Sequence, residues 1–362
     1  MRRGALALLV AMAAGLAGGV AGAPRAEAHT IGGVAATNYR SEITSMTPRT
    51  PGVTVRVRDL GRRLELENRT GEDVVVAGYQ SEPYLRVGPA GVFENVRSPS
   101  LYQNKVAPGS SSLVELPEIA DPLAPPEWRR RGGGDSVSWR DHRARWEGDD
   151  PPAVRANPGK EQVVVPRWSV ELRKGAGQSP IVVAGRISWA PGPAVWPWLV
   201  ATLALFGLAL AAGSTRRWWV ALSALLAVFL AVDMVRLYGS ATQGGGSVFG
   251  GLVQALGLGV LEVLAWGAGA WAIGAIQRQR AVGVYAAMAV GLSIGFVSGV
   301  GDLLNLAYSQ VPTALPTPVA RAAVTVCLGV GFGLAAGGFV ALRKQGPVLP
   351  GISTAASRAG AA

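Results

Sequence analysis

Residues 282–307 read VGVYAAMAVGLSIGFVSGVGDLLNLA, a run with a single charged side chain, Asp302. A segment of this length and apolarity matches the hydrocarbon thickness of a bilayer at the rise of an α-helix. Four similar runs lie around it, and the spacing predicts about five spans near 195–212, 217–238, 248–275, 282–307 and 319–342. Between residues 194 and 342 the only acidic residues are Asp233, Glu262 and Asp302.

Upstream the composition changes. Residues 29–193 hold 22 basic and 19 acidic residues, a nearly balanced surface. Short β-branched or alternating runs at 53–58, 63–67, 74–79, 84–87, 162–173 and 181–189 predict antiparallel strands, with Gly88-Pro-Ala-Gly91 closing a hairpin. The expected fold is therefore an all-β, immunoglobulin-like sandwich at 29–193, followed by an all-α transmembrane bundle of about five helices at 194–344 and a cytoplasmic tail at 345–362. Between 107 and 158 periodicity fails in a stretch rich in Pro, Gly, Arg and Trp, which marks a functional or disordered segment.

The first 28 residues have the layout of a secretory signal: Arg2 and Arg3, an apolar stretch from Ala5 to Val20, and the small-x-small site Ala26-Glu-Ala28. The competing site Ala21-Gly-Ala23 is followed by Pro24, so cleavage after Ala28 is favoured, leaving His29 as the mature N-terminus. Arg216 and Arg217, Arg278 and Arg280, and Arg343 and Lys344 flank alternate span ends, whereas 239–247 and 308–318 carry no basic residue. The positive-inside bias then places the charged linkers in the cytoplasm and the β domain outside, in a multi-pass protein of the plasma membrane.

The net charge of +11 does not lie on one soluble face, which argues against nucleic acid as a partner. Short cytoplasmic linkers and the lack of a GxxxxGK[ST] loop argue against nucleotide. Cys327, the single cysteine, lies in an apolar run and reads as a helix-packing residue. Gly291, Gly295 and Gly299 in the fourth span and Gly329, Gly333 and Gly337 in the fifth form rows on which the two helices are expected to pack closely. Asp302 shares the glycine face, Asp233 and Arg236 can pair within one helix, and Glu262 lies in the third span. These four intramembrane polar residues fit either register-fixing pairs or an ion or proton path.

The chain has two histidines, His29 and His142. A terminal histidine offers its α-amine and ring Nδ1 to one metal, and a second imidazole completes a three-nitrogen set suited to Cu(II). The order of His29, Asp141 and His142 resembles the histidine brace of CopC-type copper carriers, small exported β-sandwiches. The resemblance implies His29 and His142 as ligands, with Asp141 either a weak axial oxygen on the metal or a partner that supports a ligand from behind. An exported copper-binding sandwich followed by spans is also similar to fused CopC and CopD proteins, although the membrane segment here contains no histidine. TNYRS at 37–41 and GYQSEPYLRV at 78–87 resemble uncharacterised actinobacterial membrane proteins that begin with a signal peptide.

These readings favour a membrane-anchored extracytoplasmic protein that handles, delivers or senses copper, in contact with the lipid bilayer and with a copper donor or acceptor. The rivals are a non-metal scaffold that binds other envelope proteins and a copper-dependent oxidative enzyme. The enzyme would need Tyr39, Tyr84, Trp128 and Trp139 to form one flat face.

Overall fold

The computed structural model describes residues 34–105, 115–175, 179–243 and 248–345. The signal segment 1–28, His29 and residues 346–362 of the tail lie outside the described residues. The chain forms two compact units, a β unit of Val34–Pro193 with Tyr308–Pro312, and a helical unit of Ala194–Ala307 continuing from Thr313.

The β unit is a two-layered antiparallel sandwich. Its strands are β1 (Tyr39–Thr47), β2 (Val53–Arg58), β3 (Arg63–Asn68), β4 (Val74–Ala77), β5 (Pro83–Gly88), β6 (Gly91–Asn95), β7 (Trp128–Gly132), β8 (Ser136–Arg140), β9 (Gln162–Lys174) and β10 (Ile181–Trp189). One sheet has the order β1-β10-β9-β4-β5-β6-β7 and the other β2-β3-β8. Alternation in β3 buries Leu64, Leu66 and Asn68 while Arg63, Glu65 and Glu67 reach solvent, the pattern of a strand with one wet face. One apolar core joins Leu64, Leu66 and Trp139 of the small sheet to Val76, Leu85, Leu172 and Val183 of the large one. At the β5–β6 hairpin Gly91 has φ +109°, and a Cβ there would lie 2.7 Å from the Gly132 carbonyl, so only glycine fits.

Residues 115–158, whose composition suggested no regular structure, supply β7, β8 and the short helix α2 (Pro152–Ala156), and another short helix, α1 (Pro99–Gln103), lies upstream. Asn68 is buried, and its amide donates to the Glu72 and Val87 carbonyls at 2.7 Å each, so the side chain closes a turn.

The helical unit comprises α3 (Trp196–Ala212), α4 (Trp218–Ala241), α5 (Val248–Leu258), α6 (Val260–Gln277), α7 (Ala281–Ile294) and α8 (Thr317–Gln345). Among the described residues four helices, Trp218–Ala241, Val260–Gln277, Ala281–Val300 and Thr317–Lys344, are long and apolar enough to cross a membrane, and Trp196–Ala212 is a shorter apolar helix. Val228, Leu261, Leu264, Trp271 and Phe296 point outward, as suits a hydrocarbon surround. The third run is interrupted at Gly259, between α5 and α6. The fourth passes from α7 into a π-helical turn at Gly295–Val300, then a 3-10 turn at Leu303–Leu306.

The glycine rows pack in a different arrangement from the one expected. Gly291 and Gly299 of the fourth run do face α8, where a Cβ would meet the Gly331 carbonyl at 2.5 Å and Leu328 at 3.0 Å. Gly329, Gly333 and Gly337 instead face α3, against Thr202, Phe206 and Ala209. The long helix α8 thus presents one small-residue face to α3 and another to α7. A row of small residues shows that a close approach is possible but not which helix makes it.

Candidate functional site

The loop around His142 is built outward from β8. Its Ser-Val-Ser-Trp-Arg alternation turns Val137 and Trp139 into the core. Trp139 Nε1 donates to Asp141 Oδ2 at 2.9 Å, which holds the carboxylate where the strand ends. Asp141 also caps the 3-10 turn His142–Ala144: its Oδ1 accepts from Arg143 N at 3.1 Å and Nε at 2.9 Å, and Oδ2 from Arg143 Nη2 at 2.8 Å. Its side chain is fully buried and both oxygens are committed. Of the two roles expected for Asp141, the geometry suits the indirect one, fixing the turn that carries His142.

His142 is held at three points. Its backbone N–H donates to the Tyr79 hydroxyl oxygen at 3.0 Å, and that hydroxyl donates to Asn104 Oδ1. Its Nδ1 lies 3.0 Å from Glu147 Oε2 and its Nε2 3.3 Å from the Gln103 carbonyl. The side chain remains 31 % exposed. The Glu147 hydrogen bond raises the imidazole pKa against the opposing effect of burial. Burial raises the Glu147 carboxyl pKa, but the His142 hydrogen bond and charge, with Arg145 and Arg62, bring it below the ordinary value.

Glu82 escaped the sequence reading. It is buried and accepts from Ser98 Oγ at 2.6 Å, Ser100 Oγ at 2.7 Å and Gln80 N at 2.9 Å. Burial alone would raise its pKa, yet the two serine hydroxyls hold it below the usual carboxylate range. This gives part of the GYQSEPYLRV segment a physical role, tying the β4–β5 turn to α1. The polar, turn-like context of Glu82 concealed it.

The aromatic residues do not make a flat face. Tyr84 and Trp139 are core residues, and burial pushes the Tyr84 phenol up to about 12. Tyr39, at the start of β1, stacks on Trp146 with ring centroids 5.8 Å apart and 25° between planes. Its hydroxyl donates to Asp150 Oδ1 at 2.7 Å. The N-terminal strand therefore begins beside the loop that carries His142. Among the described residues no group of three His, Cys, Asp or Glu side chains is placed to hold a metal ion.

In the helical unit the four expected polar residues do converge. Arg236 Nε donates to Asp233 Oδ1 at 2.9 Å, Nη1 to Asp302 Oδ2 at 2.7 Å and Nη2 to Ser298 Oγ at 2.7 Å. Trp266 Nε1 donates to Asp233 Oδ2 at 2.8 Å, and Glu262 Oε1 lies 3.8 Å from Arg236 Nη2. Ser298 and Trp266 were not foreseen, because neither carries a charge to draw attention within an apolar run.

No family model, curated protein or solved structure matches this chain.

Proposed function

We propose that this is a membrane-anchored envelope protein whose β unit lies outside the cytoplasm and binds one Cu(II) ion through the His29 amine, the His29 ring and the His142 ring. The stacking of Tyr39 on Trp146 carries the proposal. Tyr39 stands ten positions after His29, a tether of at most about 35 Å. Trp146 lies four residues from His142, at most about 14 Å away along the chain. A mature terminus at His29 can therefore reach the imidazole.

The chemistry of His142 fits this role. A metal-bound histidine usually donates its other ring N–H to a carboxylate, which fixes the tautomer and raises ligand basicity. Glu147 at Nδ1 supplies that carboxylate, leaving Nε2 for the metal. The contact of Nε2 with the Gln103 carbonyl must then open. Copper would be handed to or taken from another envelope component, with the helical unit as anchor.

The test is Cu(II) titration of three full-length proteins: the authentic His29 terminus, the same chain with one residue added before His29, and His142→Ala. Because the α-amine is a ligand, the extension and the substitution should each weaken binding by at least tenfold. Equal affinity in all three would remove the brace.

One observation favours the non-metal interaction reading. Among the described residues strand β7 ends the large sheet with β6 as its neighbour, and its Arg129, Arg130 and Arg131 are exposed, Arg129 pairing with Glu94. A basic open edge suits an acidic partner as well as it discourages self-association. Unchanged copper-free behaviour together with no Cu(II) affinity would favour that reading.

A further inference from the structure

Neighbouring strands of the large sheet set one row of side chains across the face that points away from the core. The register pairs Val75 of β4 with Arg173 of β9 on one side and with Arg86 of β5 on the other, then Arg86 with Phe93 of β6, and Phe93 with Arg130 of β7. Residues directly opposite in antiparallel strands share a face. Their neighbours along each strand, Val74, Val76, Leu85, Val87, Val92 and Leu172, enter the core, so the row itself lies on the opposite face. It reads Arg173-Val75-Arg86-Phe93-Arg130, with a cation on every second strand.

Arg86 stands at the centre of the row. Its guanidinium carbon lies 4.4 Å from the Phe93 ring centre and 4.9 Å from that of Trp128, contacts that hold a cation against aromatic rings. The carboxylates on this face are loosely placed, with Asp73 Oδ2 at 3.7 Å from Arg86 Nε and Glu171 Oε2 at 3.5 Å from Arg173 Nη2. Neither distance is that of a hydrogen bond made at full strength. Arg86 and Arg173 keep 27 % and 42 % of their side chains exposed, and Arg130 is exposed as well.

We infer that this row is a docking surface for a linear glycan that carries a carboxylate on every second sugar. Strands in a sheet lie roughly 4.8 Å apart, so cations on alternate strands recur about every 10 Å, close to the length of a disaccharide. Each guanidinium can take one carboxylate through paired hydrogen bonds. Between the cations, the partly exposed rings of Phe93 and Trp128 offer an apolar surface for the C–H face of a sugar, whose slight positive charge suits an aromatic ring. An acidic peptide fits less well. When extended it turns side chains to one side about every 7 Å, out of step with the row. It would also cross the face of a sheet whose main chain is already engaged between strands, and so gain none of the hydrogen bonds that a peptide finds at a sheet edge. A polyol phosphate has no rings to rest on the aromatics. This inference does not depend on copper binding by the β unit.

The test is calorimetric titration of the full-length protein in detergent with four oligomers of matched length: hyaluronan, with a carboxylate on every second sugar; polygalacturonate, with one on every sugar; a neutral chito-oligosaccharide; and polyglutamate. Hyaluronan should bind most tightly and the neutral oligomer should not bind. Arg130→Gln and Arg173→Gln should each weaken hyaluronan binding about tenfold, the effect of losing one charged hydrogen bond. Arg155→Gln, at an exposed position of α2 outside the row, should leave it unchanged. These positions are on the surface, so unchanged thermal midpoints should accompany the binding data. Trp128→Leu should weaken hyaluronan binding while leaving the weak binding of polyglutamate as it was. Polygalacturonate or polyglutamate bound as tightly as hyaluronan, no binding of hyaluronan, or a Kd unmoved by both arginine substitutions in the row would overturn the proposal.

Discussion

Each unit contains an arginine paired with a buried aspartate, and the two sites are built on different arithmetic. In the β unit Arg143 faces Asp141, one charge against one, and the aspartate's remaining capacity is taken by Trp139 and a backbone N–H. In the helical unit Arg236 faces Asp233, Asp302 and Glu262. The balanced pair holds a turn in place. The unbalanced cluster sets three carboxyls around one guanidinium and ties helices of the bundle together.

The comparison can be broken most severely at Arg236. Arg236→Met leaves several buried carboxyls without their cation, and loss of about 3–5 kcal/mol is expected, read as a large fall in thermal midpoint or loss of folded protein in detergent. Asp141→Ala should cost less, about 2–3 kcal/mol, because Arg143 is partly exposed and can reach water. If the two substitutions proved equally damaging, the distinction between the sites would fail.

A test of packing comes next. Gly337→Ala would put a Cβ 2.2 Å from the Ala209 carbonyl oxygen, so α3 and α8 must separate, at about 1–3 kcal/mol. Gly207→Ala, with nothing within 4 Å, should be close to neutral in the same thermal assay.

The arrangement of the chain was legible where side-chain periodicity reports burial. The alternation of Leu64 and Leu66 and the apolar runs at 217–238 and 282–307 announce their elements. Strand β1 was missed because YRSEITSMT mixes exposed and half-buried positions at a sheet edge. Strands β7 and β8 hide among arginines and glycines, with only Val137 and Trp139 buried in β8. The pairing of Asp233 with Arg236 follows from three-residue spacing on one helix. The approach of Asp302 and Glu262 depends on how three helices meet, which local spacing does not encode. Likewise Asp141 looked free to bind metal because its engagement by Trp139 and Arg143 is a matter of conformation.

The smallest expected effect concerns pH. Glu147 raises the folded-state pKa of His142, so the pair stabilises the fold below the unfolded histidine pKa of about 6.5 and that contribution is lost as pH rises through the folded value. Cu(II) needs the neutral ring, so protons compete for His142 from a higher pH than for an unpaired histidine. Glu147→Gln should move the acid limb of copper binding to lower pH by a fraction of a unit. Any proton on the His29 amine competes equally in both proteins, so the difference between them reports on His142.

The most direct measurement is electron paramagnetic resonance of Cu(II) bound to the mature full-length chain carrying ¹⁵N-labelled histidine. The account predicts hyperfine coupling to labelled nitrogens from two histidines, with the His142 contribution lost in His142→Ala while the His29 contribution persists. A spectrum identical in wild type and His142→Ala, or one without coupling to labelled nitrogen, would contradict it.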